Sequence, residues 1–473
     1  MRVAILGGGI AGLSAAWELE KARADDPDLE YALYESSSRL GGSIRTEIVD
    51  GCIVEGGPDS FLTEKSAAAK LCKELGIADS LIGSNDAERK TYIVVKNRLV
   101  PLPDGLMFMV PTKLVPTALT ALFSLKTKAR MALELLLPPR PMIGDESVAD
   151  MVRRHFGEQT VDRLVDPLLS GIYGGDAQTL SARAVLARMV EMEEKHGSLC
   201  RGMLAAHKRM QTAAHAHSSR PLFTTMAGGM QQLVDALADR LRPSSLLLDT
   251  PVQSLELRSR RWRVRSEFGT REYDALVVAV PAAVAGPLFR SVDSGFASAL
   301  SAVPYSSSVT VALGFDRQEV RSLPEGFGFL VPFSEDRRMR ACTFVHAKFP
   351  GRCPDDRYLL RCFLGGTRDE GILDRSNEEI EALVRWELWS ILGLDASPRF
   401  VRIHRSRQAM AQYVVGHRAN GAHIQAGVAR LPGLAVAGNA YEGIGVPDCI
   451  RTGQQAAASI LATMRRSETA AAV

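Results

Sequence analysis

No two of the seven cysteines form a CxxC pair, and their number is odd. Cys52, Cys72, Cys200, Cys342, Cys353, Cys362 and Cys449 are scattered along the chain, which argues against a disulfide scaffold or a zinc ribbon and suits a reducing compartment. The nine histidines include no HExxH, so no metal site is implied. Long apolar runs are scarce too. The most apolar stretch, Leu114 to Leu125, is bracketed by Lys113 and Lys126, and a bilayer-spanning helix needs ~20 residues. A strand pattern that starts at Arg2 leaves no leader-like segment. The expected location is therefore cytoplasmic, with peripheral contact to the inner face of the cytoplasmic membrane as a variant of it. An excess of one charge is also lacking. The 57 basic and 54 acidic residues give a net charge of +3, without the concentrated basic footprint of a nucleic-acid binder.

What the chain does have is size and glycine in particular places. Its 473 residues are 46% hydrophobic and 23% charged, ordinary for a soluble protein and long enough for two or three modules around a buried cofactor. The strand-like Arg2–Leu6 runs into Gly7-Gly8-Gly9-Ile10-Ala11-Gly12, and Leu13–Leu19 reads as a helix. Gly7, Gly9 and Gly12 form GxGxxG. The first suits a tight turn, the second close approach of a pyrophosphate, and the third packing of helix on strand. The N–H groups and dipole of the helix start favour phosphate. A second strand pattern ends in Glu35, followed by Ser36, about 20 residues on, where a carboxylate accepts hydrogen bonds from an adenosine ribose.

The next loop selects FAD over NAD. Arg39-Leu40-Gly41-Gly42-Ser43 is a second basic, glycine-paired turn that an NAD site does not require, and it can bring further N–H groups onto the same pyrophosphate. Gly56-Gly57-Pro58-Asp59 is another side-chain-poor stretch, on which a flat ring can lie. Near the C-terminus Gly433–Gly438 reads as a buried strand, and Gly445-Val446-Pro447 leads into a helix near Cys449; such a loop can aim a helix start at a second part of the cofactor. Val252, ahead of the strand-like Gln253–Leu257, completes the expected cofactor set.

The remaining pattern is interleaved. Strand patterns at Trp262–Ser266, Ala275–Pro281, Ser308–Leu313 and Tyr358–Leu364 flank a helical texture from Pro111 to about His217. Met107–Val110, Leu114–Leu125 and Met131–Leu137 are apolar with basic flanks. They suit either a membrane interface or a buried helical core, and both readings stand.

Gly7–Gly12, Glu35 and Arg39-x-Gly41-Gly42 resemble the FAD signature of the flavin amine oxidase and phytoene desaturase superfamily. Asp166 to Asp176 with Gly171 at its centre, Glu55-Gly-Gly-Pro58, Lys195-His196-Gly-Ser198-Leu199, Gly326-Phe327-Gly-Phe-Leu330-Val-Pro332, Gln412-Tyr413-x-x-Gly416-His417 and Tyr441-Glu-Gly443 through Cys449-Ile450 are similar, in order, to motifs of the protoporphyrinogen oxidases and coproporphyrinogen III oxidases. The resemblance implies an α/β fold: a Rossmann-type FAD domain (1–85, 222–299, 405–473), interleaved with an α+β substrate domain (86–108, 300–404) and a helical, membrane-associating domain (109–221). It implies six-electron oxidation of a porphyrinogen late in heme biosynthesis, with oxygen as acceptor, peroxide as by-product and a ferrochelatase as recipient of the product. It also implies that Phe327 and Leu330 sandwich the macrocycle, that Gly171 lies close to it, and that the segment around Gly438–Pro447 closes over the flavin.

Two features divide the substrates. Some relatives carry an arginine after the Gly-Gly-Pro stretch, where this chain has Asp59-Ser60, and Lys65 is the nearest substitute for anchoring a propionate. The Gly326–Pro332 motif leans to protoporphyrinogen IX, the expected substrate, and the short chain leans to coproporphyrinogen III. Another oxidase of the superfamily, or a non-catalytic carrier with its fold, is the more distant alternative. No general acid or base stands out, because hydride transfer to a flavin needs positioning more than a side-chain acid. Nothing in the pattern selects an oligomeric state.

Overall fold

A computed structural model describes residues 1–473 except 104–105, 108–109, 112–113, 137, 139–143, 214–219 and 472–473. Its first sheet is parallel throughout, in the order Leu246–Leu247, Glu30–Tyr34, Arg2–Leu6, Ala275–Val278, Leu434–Val436. The central strand shows why these apolar runs are strands buried on both faces. Val3 and Ile5 enter the core that the Ile10–Ala22 helix shares, while Ala4 and Leu6 enter the core on the opposite side.

The second sheet has seven strands in the order Phe400–Ala411, Tyr305–Asp316, Arg357–Gly365, Met339–Phe344, Gly328–Leu330, Thr91–Val95, Arg98–Pro101. All neighbours are antiparallel except Gly328–Leu330 with Thr91–Val95. Leu360, Cys362 and Leu364 point into a core with Ile380, Val384 and Leu388 of the Asn377–Leu392 helix. The period of two therefore turns Arg361 and Phe363 to the other face. Strand Phe400–Ala411 runs across the 404/405 division drawn from the sequence.

The expected helices, among them Leu125–Glu134, Val148–Phe156, Asp166–Tyr173, Ala187–His196 and Leu199–Ala213, build a core that meets the seven-stranded sheet at Ile93 and Leu330. Asp166–Tyr173 carries Pro167 in its first turn and ends at Gly174 with φ +57°, a left-handed cap that glycine adopts without strain. The apolar stretch 114–125 is not one helix. A helix ends at Leu119, and Ser124 caps the next one by accepting from Thr127 N–H at 3.3 Å. Leu122 and Phe123 are buried, whereas Leu119 and Leu125 are 80% and 84% exposed. Of the apolar Met107–Val110, residues 108–109 lie outside the described residues.

Candidate functional site: a dinucleotide cradle opening on an apolar slot

The GxGxxG turn is tight at its first and third glycines. A Cβ on Gly12 would stand 1.9 Å from Gly7 O, and Gly7 adopts φ +103°. Gly9 differs: a Cβ there would meet nothing nearer than Gly42 Cα at 3.9 Å, so its face is open. The helix behind it, Ile10–Ala22, starts with no side-chain cap and no acidic residue in its first turn. That leaves its first N–H groups and positive dipole end for an anion from outside the chain. Glu35 stands beside this turn and accepts from Gly8 N–H at 2.7 Å, Ser37 N–H at 2.9 Å and Ser37 Oγ at 2.8 Å, while Ser36 Oγ lies 3.4 Å away. Thr250 N–H donates to Glu35 O at 2.8 Å, which brings the segment of Val252 alongside.

The second glycine loop continues the same surface. Gly41 N–H donates to Gly8 O at 2.8 Å, and a Cβ on Gly42 would lie 3.2 Å from Gly9 Cα. Arg39 donates to the carbonyls of Gly42, Ile44 (2.9 Å) and Leu40 (3.2 Å), so its guanidinium braces this turn. Ser43 O then meets Gly57, whose Cβ would stand 1.7 Å from it, and Gly56 N–H donates to Arg45 O at 2.8 Å. A stretch of glycine and small residues therefore runs from Gly9 through Gly42 and Ser43 to Gly57 and Pro58. Asp59, next in line, points its carboxylate to Lys348 Nζ at 3.1 Å and Arg361 Nη1 at 3.7 Å. Burial would raise its pKa, but those two cations outweigh burial and hold it well below the usual carboxylate range.

The C-terminal segment closes the other side. Gly438 has φ +118° with nothing within 4 Å of a Cβ. Asp448 accepts from Gly445 N–H at 3.1 Å and pairs with Lys65 Nζ at 2.6 Å, so Lys65 is tied to the start of the Val446–Ala471 helix. That helix crosses the first one at Gly453, where a Cβ would come 2.1 Å from Ala11 O, and Val446 is buried at the crossing. An uncapped helix start, a ribose-range carboxylate, a strip of glycine and small residues and the open face of Gly438 fit FAD laid out from phosphates to ring.

Where the strip ends, the seven-stranded sheet begins. Leu330 faces Ala341, Ala341 faces Phe363, Phe363 faces Thr310, and Thr310 faces His404. Directly opposed residues share a face, so these five form one row, four strand spacings or about 19 Å long. One end reaches the strip, since a Cβ on Gly56 would stand 3.0 Å from the His404 ring. The other end reaches the Asp166–Tyr173 helix, where a Cβ on Gly171 would lie 3.2 Å from Leu330 Cδ2. Two residues singled out in distant motifs thus meet. Phe327 lies three residues before Leu330, about 10 Å along the chain. It is buried, with its N–H on Lys90 O and its C=O accepting from Phe344 N–H.

Several site residues were not anticipated. Phe363 sits mid-row, half-buried, with the Arg361 guanidinium 4.8 Å from its ring centre. Burial lowers the pKa of His404, whose Nε2 is buried without a hydrogen-bond partner, 3.9 Å from Glu47 Oε1. The signal was the alternation in Tyr358–Leu364, which marks Arg361 and Phe363 as the non-core face. The Gln412-Tyr413 motif is a weld. Gln412 Nε2 donates to Tyr173 O (2.7 Å) and Ser306 Oγ (2.9 Å). Tyr413 Oη donates to Asn439 O (2.9 Å), accepts from Gly443 N–H (2.7 Å), and its ring stacks on His417 at 3.9 Å.

Comparison with known proteins agrees with this geometry. Residues 10–461 match the family model described as flavin containing amine oxidoreductase. The coproporphyrinogen III oxidase of Bacillus subtilis is 34% identical, over 97% of this chain and 97% of that protein. The protoporphyrinogen oxidase of Bos taurus is 30% identical, over 98% of each. A crystal structure of a protein from Exiguobacterium sp. 255-15 superposes with a TM-score of 0.86 at 31% identity, covering 97% of this chain and 98% of that one. With FAD as its cofactor, the chain belongs to the flavin-containing amine oxidoreductase family.

Proposed function

We propose that the protein oxidises a porphyrinogen to the porphyrin. Six hydrogens leave the macrocycle over three rounds, and three oxygen molecules become three of hydrogen peroxide. The observation that carries this reading is the contact of Gly171 with Leu330 at the far end of a row that starts under Gly56. A porphyrinogen is a broad apolar ring with carboxylate arms, and such a ligand needs a narrow apolar slot with few polar anchors. Bound FAD supplies the two-electron acceptor. The chain's own residues supply position: Leu330, Ala341 and Phe363 form one wall, and the missing side chain at Gly171 sets the slot's width.

Identity is higher to the relative named coproporphyrinogen III oxidase, 34%, than to the bovine protoporphyrinogen oxidase, 30%. This moves our first choice from protoporphyrinogen IX, expected from the sequence, to coproporphyrinogen III. Lys65, with its side chain 41% exposed and held by Asp448, is the cation we assign to one carboxylate arm. Peripheral membrane contact through the exposed leucines of the helical region, and delivery of the product to a ferrochelatase, belong to the same proposal.

The test is turnover of both porphyrinogens by purified holoprotein, followed by porphyrin fluorescence and oxygen uptake. We expect coproporphyrinogen III to react at least tenfold faster, ~1.4 kcal/mol of transition-state preference. The reverse ratio would restore protoporphyrinogen IX, and absence of porphyrin from either, with FAD bound, would end the reading. Leu330→Asp should abolish most turnover while FAD stays, because an unpaired charge against an apolar ring is strongly unfavourable.

A further inference from the structure

A cluster of five charged side chains lies directly behind the Glu55–Ser60 strip. Arg361, Arg352 and Glu55 are 5%, 1% and 4% exposed. Lys348 and Asp59 keep only 12% and 18% of their side chains in contact with solvent. Arg361 donates to Gly57 O, and its Nη1 lies 3.7 Å from Asp59 Oδ2. Lys348 Nζ reaches Asp59 Oδ2 at 3.1 Å and Ser60 Oγ at 3.3 Å. Arg352 donates to Thr225 Oγ1 and lies 3.4 Å from Glu55 Oε1. Glu55 also accepts from Thr46 Oγ1 at 2.6 Å and Met230 N–H at 2.9 Å. Thr225 Oγ1 in turn donates to Asp59 O at 2.7 Å.

Bracing a loop does not require this charge balance. Three cations face two carboxylates, so the cluster carries one positive charge in excess. Arg361 Nε is buried without a hydrogen-bond partner. The void that Glu55, Asp59, Arg352 and Arg361 share with apolar neighbours such as Ala312 and Phe349 is only about 10 Å³, at the lower limit for one water. A charge in so dry a setting is weakly screened and acts over several ångströms. The nearest backbone it touches is Gly57, whose carbonyl accepts from Arg361, in the strip that would hold the flat end of FAD.

We infer that Arg361, backed by Lys348 and Arg352, is a positioning residue that raises the affinity of the site for reduced over oxidised flavin. A reduced flavin carries additional negative charge, and fixed positive charge near the ring is one of the protein's levers on cofactor electronics. Arg361 reaches that place because the strand Arg357–Gly365 turns residues 361 and 363 to one face, joining the cradle to the slot wall. The inference rests on FAD lying in the cradle and is independent of which porphyrinogen is taken.

The experiment is reductive titration of the holoprotein without any porphyrinogen, beside Arg361→Met, Arg361→Lys and Lys348→Met. Arg361→Met should weaken reduced relative to oxidised FAD at least tenfold, a fall of ~30 mV in the two-electron midpoint. It should also bind sulfite more weakly. Arg361→Lys, which keeps the charge and loses the planar fork, should retain most of the wild-type midpoint. An unchanged midpoint in Arg361→Met, or an equal fall in Arg361→Lys, overturns the inference in favour of loop bracing. If Arg361→Met does not retain FAD, Lys348→Met decides. It leaves the Gly57 carbonyl bond in place and must lower the midpoint in the same direction, and no change there overturns the inference. Failure of porphyrinogen turnover with these potentials intact would count against the substrate alone.

Discussion

Single residues at the cradle act by being absent as much as by bonding. A side chain at Gly9 would occupy the open face before the uncapped helix start, so Gly9→Val should abolish FAD binding while leaving the neighbouring strand packing intact. Glu35 is different, because its carboxylate accepts from Gly8 N–H and Ser37 N–H. Those bonds aim it and leave further acceptor capacity on the carboxylate, which we propose takes the ribose. Charge-assisted hydrogen bonds are worth about 1.5–3 kcal/mol. Glu35→Ala should therefore release FAD ten- to a hundredfold more readily on dialysis, measured by flavin fluorescence. If that variant keeps FAD with wild-type affinity, Glu35 serves the Gly8 turn alone. These positions were legible because GxGxxG couples residue type to spacing. Arg361 and His404 were not, because a lone arginine or histidine on a strand has no spacing signature until the register places it.

At the scale of elements, the Lys195–Leu199 motif turns out to fasten helices together. Glu134, at the end of Leu125–Glu134, accepts from Ser198 Oγ (2.7 Å), Leu199 N–H (2.8 Å) and Cys200 N–H (3.2 Å), which caps the Leu199–Ala213 helix with a carboxylate. His155 bridges it to Glu193, with Nδ1 2.9 Å from Glu134 Oε1 and Nε2 3.0 Å from Glu193 Oε1. Burial disfavours the imidazolium, yet the two carboxylates prevail and raise the His155 pKa. Burial likewise opposes ionisation of Glu193, but Arg154 and His155 bring it down to about 2. The signs then set a pH window. A raised histidine stabilises fully below its unfolded pKa of ~6.5 and loses that contribution as pH rises through the folded value. The depressed Glu193 stabilises above ~4.3 and loses its contribution only as pH falls towards 2. His155→Gln should thus lower Tm most near pH 5.5–6.5, and the gap to wild type should shrink by pH 9. A gap that stays constant across that range would show that His155 packs as a neutral ring.

For the whole molecule, the interleaving of two sheets and a helical region was readable from alternating strand and helix texture, since apolar period reports burial directly. Gly171 and Leu330 were expected near each other from the resemblance, but Phe363 was not, because only strand pairing sets it in one row with Leu330. The apolar run 114–125 was ambiguous for a related reason: composition does not say which side of a helix faces the core. The structure divides it. Leu122, Phe123 and Met131 are buried, while Leu119, Leu125, Leu133 and Leu136 are 80%, 84%, 58% and 77% exposed. Lys126 and Arg130 lie on the same helix as Leu125 and Leu133. No helix among the described residues is long and apolar enough to cross a membrane; the peripheral contact proposed above would use these exposed leucines. Four exposed leucines bury their side chains at roughly 1.5–3 kcal/mol each when fully withdrawn from water, and adjacent cations add attraction to anionic headgroups. Leu119→Asp with Leu125→Asp should therefore remove co-sedimentation with anionic vesicles while Tm and FAD content stay at wild-type values. Leu122→Asp, by contrast, should unfold the helical region, because its charge would enter a closed core. Wild-type protein that stays in the supernatant with such vesicles, at low salt, would mean that the leucine face meets water or another protein instead of lipid.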